Sequence, residues 1–539
     1  MQTKKLVFMG ICLFGSLGLG GEYQAATPTD NEGISSITAQ LDSTFQEEQV
    51  DSIEKAKLFT HEGEETDITF KDSTLENEVK KELNLTENEH VTTVNILNLQ
   101  KLVSSGTGIT DLTGLEYAKN LMLITFNDNQ IDSLKPLEKL ELLSSVGLEN
   151  NPKLTLDDVL ALPNLTELNL SNNPNMKDFS KLSVYSEMRN LWLNNSNLSN
   201  IDFVETMHVL KEIHLDNNHL TTIDKLDSDF LTKLFVNNNN ITSLDHVKNI
   251  SQIQSILIDN NELTSIINRP TLKGLSANSN KITTLNDLNA PFLQQANLDN
   301  NQIDSVHIIS APYLSNLSLR SNKLITLDGL EKATNLTQLN LFSNQLKDIS
   351  AVKSLPNLLR LVIQENPTIM DFSPISSANK LIQLLANDTN VTPAKLAQLG
   401  SLNQLQLLAV SNIKNVANDS KISSLDFLTD FPALTLVAID GHSVSDISKM
   451  GQTKIETYSV KNQQIRLPQV ALGQKTILTL LDKDNNFPST INFNTPGEIS
   501  TNHPLKTNYV QWHQVGENSL DFSSLDDSFS GSVNQLVVK

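Results

Sequence analysis

From Leu121 onward one frame, Leu-x-x-Leu-x-Leu-x-x-Asn, keeps returning, and a fixed period of this kind constrains a chain more than any composition does. Clear copies begin at Leu165, Leu210, Leu231, Ile253, Leu314 and Leu336. The closing asparagine falls at Asn129, Asn151, Asn173, Asn218, Asn239, Asn261, Asn280, Asn301, Asn322, Asn344 and Asn366. Most steps are 21 or 22 residues, and one, from Asn261 to Asn280, is 19. The 45-residue step from Asn173 to Asn218 holds a hidden copy with Ser196 in the asparagine place, and degenerate copies continue with Thr389, Ile413, His442 and Gln463 there. Sixteen copies fit between Leu121 and Leu467.

Each copy can be read physically. Its first half alternates, so Leu168 and Leu170 point inward from a short strand while Asn169 points out. The frame asparagine stands where the strand must turn, and its amide can satisfy backbone groups that the turn leaves unpaired. The second half, such as Ile241-x-x-Leu244, sends apolar residues inward from a tight return segment. A turn of 21 or 22 residues leaves little room for a full α-helix, so the expectation is 3₁₀ or irregular backbone. No single turn can bury its own core. Stacking neighbours must do so, and the open ends need caps.

The flanks supply candidates for those caps. Ser73 followed by Glu76 reads as a capping box, with Leu75, Val79 and Leu83 on one helical face. Val91 to Leu99 alternates weakly and could add a strand, and Ile109, Leu112 and Leu115 read as the back half of a first repeat. After Leu467 the period stops. Ile477–Leu481, Ile491–Phe493, Val510–Trp512, Leu520–Phe522 and Phe529–Val538 are strand candidates, with Asp482 to Asn486 read as a solvated hairpin turn rather than a calcium loop. At the other end, Lys4 and Lys5 precede the apolar stretch Leu6 to Leu19, and small residues follow at Ala25 and Ala26. This reads as a secretory signal peptide over residues 1–26. Residues 27–66 are acidic, with a candidate helix at Glu47 to Leu58, and read as a mobile lead-in.

Taken in order, these parts resemble the internalin family of Gram-positive bacteria: a signal peptide, the cap sequence FKDSTLENEVKKEL, the junction GITDLTGLEYAKNL, repeats of about 22 residues, and a closing FSGSVNQ. The resemblance covers residues 67–539. It implies an α/β leucine-rich-repeat solenoid, curved, with a parallel sheet on its concave face. The expected order is a helical N-terminal cap with a first half-repeat over 67–120, repeats over 121–467, and an immunoglobulin-like all-β domain over 468–539. It further implies a secreted or cell-surface protein of the adhesion or virulence kind. Partners differ among members and do not carry over. Neither an LPxTG-like sorting signal nor cell-wall-binding repeats follow the last strands, so a released protein is one expectation and a fragment the other.

Composition narrows the function classes. The net charge is −22, and −23 once the leader is removed, which argues against gripping nucleic acid or docking on anionic lipid. The one cysteine, Cys12, belongs to the leader, so the exported chain would have no disulfide and no thiol nucleophile. The histidines are scattered, and no G-x-S-x-G, P-loop or H-E-x-x-H motif is present. No enzymatic role, cofactor or metal is therefore expected. The residue between the second and third frame apolars faces the concave side. Down that column Trp192, His214, Phe235 and Leu257 fall in four successive turns. Two readings stand: a ladder that shields itself, or a row of anchors for a protein partner, a host protein among the candidates. The column two residues on carries Glu149, Asp216, Asp259 and Asp299, with Arg320 and Phe342 at the next two turns, and could steer and contact a basic partner. Val362, Leu385, Leu407 and Ala409 form a second, duller apolar area. The chain is expected to be monomeric. The alternative function is a structural spacer in the bacterial envelope with no dedicated receptor.

Overall fold

Each turn of the repeat becomes one three-residue strand and one return segment. The computed structural model describes residues 58–60, 63–266, 269–414, 421–502 and 507–539. The leader, and all but Leu58 of the candidate Glu47–Leu58 helix, lie outside the described residues. Gly63–Lys539 forms one compact unit.

The strands pair in parallel, in chain order, from Lys101–Val103 to Leu436–Ala438, and a longer strand, Thr457–Arg466, closes the row. Register is strict: Ile124, Val146, Leu168 and Leu191 stand opposite one another in successive strands, and all four are fully buried. Each such side chain contributes roughly 1.5–3 kcal/mol when buried, but only because the turns on either side cover it. The sheet starts one turn earlier than Leu121. Val91 to Leu99 does not form the expected strand: it supplies one bridge, Asp67 to Thr92, and a 3₁₀ turn at Asn95–Asn98, and the first strand follows at Lys101.

Return segments vary from turn to turn, and the 21-residue step from Asn218 to Asn239 carries no strand in its return. Most 22-residue steps carry a short 3₁₀ turn, such as Lys135–Leu137, Leu330–Lys332 and Ser350–Ser354. The steps from Asn280 to Asn301 and from Asn301 to Asn322 are one residue shorter, and there the return is extended: Thr284–Asn289 and Ser305–Ser310 pair as a parallel two-stranded sheet. An extended residue advances about 3.3 Å against about 2 Å in a 3₁₀ turn, so a shorter segment can span the same distance.

At the N-terminal end the helix is Ser73–Glu82, capped by Asp72 rather than by Ser73. Asp72 Oδ1 accepts the N–H groups of Thr74 (2.9 Å) and Leu75 (3.2 Å), while Oδ2 accepts that of Thr110 (2.8 Å), tying the helix to the first return segment. Leu75 and Val79 are fully buried; Leu83 lies just past the helix and is half-buried.

The last strands form two layers. Phe529–Val538 pairs in parallel with Thr457–Arg466 and antiparallel with Gly516–Ser523, which pairs in turn with Thr490–Phe493. Lys475–Ile477, Thr507–Trp512 and Gly497–Asn502 make a separate antiparallel sheet. Trp512 is buried between the layers, edge-on to Phe493, and its Nε1 donates to Gln535 Oε1 (2.7 Å). Asp482 to Asn486 is a turn held by Asp482 Oδ1, which accepts from the N–H groups of Asp484 and Asn486. It is not a hairpin, because the strands on either side belong to different sheets.

A concave row of stacked rings as candidate partner face

Trp192, His214, Phe235 and Leu257 stand opposite one another in consecutive strands, as the period requires. The Trp192 and His214 rings stack at 5.2 Å with 22° between planes, and His214 and Phe235 at 4.0 Å with 8°. Strands about 4.8 Å apart bring flat side chains within stacking distance without any adjustment. Stacking closes most of the row, as the self-shielding reading of the ladder expects. His214, Phe235 and Leu257 are only 6%, 4% and 4% exposed, and Trp192 alone remains partly open.

A charged trio missing from the sequence reading flanks the rings. Glu212, two residues before His214, has Oε1 2.6 Å from His214 Nε2 and Oε2 3.1 Å from Lys233 Nζ one turn on. Burial works against the Glu212 charge, but the hydrogen bond and charge of His214, with Lys233 behind it, hold its carboxyl below the usual range. The available signal was an opposite-charge pair, Glu212 and Lys233, in register on adjacent strands.

The acidic column is built differently from the expectation. Asp216 accepts the N–H of Asn237 (2.6 Å). Asp259 accepts the Ser276 hydroxyl (2.8 Å) and the Asn278 N–H (2.7 Å), and Asp299 accepts the Ser318 hydroxyl (2.6 Å) and the Arg320 N–H (2.8 Å). In alternate turns Asn194, Asn237 and Asn278 do the same for the turn that follows. The column is therefore an inter-turn ladder of short side-chain acceptors, and Asp440, absent from the sequence reading, belongs to it. Burial pushes Asp216, Asp259, Asp299 and Asp440 above the ordinary carboxylate value despite these hydrogen bonds. Carboxylates committed to backbone donors steer a partner less than free ones would. The interchange of Asn, Asp and Ser down the column was the signal for this role.

Beyond the acids, the Arg320 guanidinium lies 4.9 Å over the Phe342 ring. In the second apolar area Val362, Leu407 and Ala409 are buried and Leu385 is partly open. A shallow polar cavity opens where the early strands turn, lined by Asp128, Glu149, Asn172 and Asn195 among others, and Glu149 is engaged there by Asn169 and Asn172. Among the described residues no group of three or more His, Cys, Asp or Glu could hold a metal ion, and no helix is long and apolar enough to cross a membrane.

The family model for leucine-rich repeats in two copies matches residues 334–377. No curated protein matches the chain. Among solved structures, the functional domain of InlJ from Listeria monocytogenes, described as including a cysteine ladder, is 18% identical. The match covers 89% of this chain and 100% of that one, with a TM-score of 0.50. The internalin InlF from the same species is 23% identical over 68% of this chain and 95% of that one, with a TM-score of 0.47. The TLR13–ssRNA13 complex is 16% identical over 70% of this chain and 59% of that one, with a TM-score of 0.47. The repeat, its parallel sheet, the match to the repeat family model and the likeness to the InlJ functional domain together make the chain a leucine-rich-repeat protein of internalin-like fold.

Proposed function

We propose that this is an exported bacterial protein that binds a protein partner, a host protein in the strongest form of the reading, across its concave sheet at Trp192. The observation that carries it is the part-exposed indole of the first ring in the stack, beside the Glu212, His214 and Lys233 trio. A large aromatic side chain on a strand loses little entropy on binding, and charges at its edge set orientation. We read residues 1–26 as a cleaved leader, Ser73–Glu82 as the cap of the array, the strands after Leu467 as an immunoglobulin-like domain, and the chain as monomeric.

Capture experiments with the full chain test this. Trp192→Ala is expected to weaken capture of the partner at least about tenfold, with Trp192→Phe recovering part of it. Equal capture by wild type and Trp192→Ala would sink the assignment. Phe235→Ala is a poor probe, because removing a buried ring costs about 3 kcal/mol of stability and confounds binding with unfolding. A second reading, a spacer in the bacterial envelope without a receptor, is favoured by the burial of three of the four ladder residues. Cell fractionation separates the two: retention with washed wall material supports the spacer, and release to the medium supports the binding protein.

A further inference from the structure

Arg320 is one of five arginines in the sequence; Arg269 also has a buried Nε without an acceptor but donates to the Val247 carbonyl through its terminal nitrogen, whereas Arg320 stacks on an aromatic ring. Its backbone N–H is engaged by Asp299 Oδ1, but its side-chain Nε is buried without a hydrogen-bond acceptor. A buried guanidinium donor normally finds one. The guanidinium plane rests over Phe342 at 4.9 Å, which fixes its orientation and covers one face, so the terminal Nη groups rather than the enclosed Nε are the donors an outside group can meet. The neighbouring acid does not fill that role in full. Asp299 Oδ1 takes the Ser318 hydroxyl and the Arg320 backbone N–H; burial raises its pKa, and the nearby Arg320 charge opposes that shift.

We propose that Arg320, held flat by Phe342, is the recognition point for a single carboxylate side chain on the protein partner. The inference rests on the reading of the concave sheet as the partner face and adds the partner's chemistry: an acidic residue that reaches Arg320 while apolar surface meets Trp192. A guanidinium donates two parallel hydrogen bonds to a carboxylate, a geometry that a lysine cannot reproduce. A polyphosphate chain fits less well. It would have to run along the column that carries Asp216, Asp259 and Asp299, on a chain of net charge −22.

The test uses the full chain with arginine side chains labelled with nitrogen-15, so that five Nε–H resonances can be followed. The probes are the single-carboxylate peptide acetyl-Ala-Glu-Ala amide (the glutamate peptide), its glutamine counterpart acetyl-Ala-Gln-Ala amide, and a decameric oligouridylate. Saturable movement of the Arg320 resonance with the glutamate peptide alone is expected. Arg320→Lys should weaken that binding about tenfold and Phe342→Leu about threefold. No saturable shift, equal movement of all five resonances, equal affinity for oligouridylate, or unchanged binding by Arg320→Lys would each overturn the proposal. Trp192→Ala should leave the peptide titration unchanged. A failed titration with intact Trp192-dependent capture therefore rejects the Arg320 assignment alone, and the reverse pattern rejects the Trp192 face alone.

Discussion

Asn173 illustrates the residue scale. Its Nδ2 donates to the carbonyls of Leu148 (2.9 Å), Leu170 (3.0 Å) and Ser171 (3.2 Å), and its Oδ1 accepts the N–H of Asn151 (2.7 Å). One amide thus serves two turns, in a place where water cannot. In the turn of His442 an imidazole replaces the amide: Nε2 lies 2.8 Å from the Val410 carbonyl and Nδ1 accepts the Ile422 N–H. Burial, with Lys421 nearby, lowers the His442 pKa to about 4. A depressed value means that this turn is fully stable above the ordinary histidine value and loses stability as pH falls from about 6.5 to about 4, by roughly 3 kcal/mol. Gln463 meets the same demand with a neutral amide. His442→Gln should therefore leave melting at pH 7 within a few degrees of wild type and flatten its fall toward pH 4; an unchanged acid slope would assign that slope elsewhere. Asp259 behaves in the opposite sense. Its raised value means that stability is fullest below the ordinary carboxylate value and is lost as pH rises through the folded value. Asp259→Asn keeps the acceptor and removes the charge, so calorimetry should show a higher melting temperature at pH 7 and a gain that shrinks on acidification.

At the scale of the element, turn length and left-handed residues shape the return path. The residue before the frame position takes a positive φ in turn after turn, including Asn150, Asn172, Asn217, Asn238, Asn260 and Asn300. Asparagine and aspartate tolerate that backbone better than other side chains do, which explains the doubled asparagines of the sequence. Gly329 is more demanding. It precedes the 3₁₀ turn Leu330–Lys332 with φ of 93°, and a Cβ there would collide with the Val306 carbonyl oxygen of the neighbouring extended return. Gly329→Ala should cost about 2 kcal/mol or more in urea denaturation, with the loss of hydrogen-exchange protection centred on Ser305–Ser310. A mutant as stable as wild type would show that the contact relaxes freely.

At the scale of the molecule, the Thr457–Arg466 strand belongs to two structures at once. Its first residues extend the repeat sheet and its later ones pair with Phe529–Val538. The closing FSGSVNQ segment is this seam. Phe529 and Val533 are fully buried, Gln535 joins Trp512 to the Pro468 carbonyl, and Gly531 lets the Gln463 backbone come so close that a Cβ would lie 2.3 Å from its carbonyl oxygen. Leu481 also bridges to Asp446 in the last repeat. Unfolding of array and terminal strands should therefore be coupled. Gly531→Ala is expected to split one thermal transition into two, whereas a single unshifted transition would mean that the seam contributes little.

The period, the inward leucines and the turn-closing amides were all legible in the sequence, because each depends on residues a few positions apart or one repeat apart. Trp192, His214, Phe235 and Leu257 could be placed in one row on that basis alone. Which of them would face solvent could not be read, since burial there depends on how each ring stacks on the neighbouring turn. For the same reason Asp216, Asp259 and Asp299 looked like a charged surface, and only the packed turns show them spent on backbone N–H groups. Cooperation of Arg320 with Phe342, of Glu212 with His214 and Lys233, and of Gly531 with Gln463 likewise waits on distances across strands. A repeating sequence dictates its strand register, and what a side chain can do from that register is decided by the turns stacked against it.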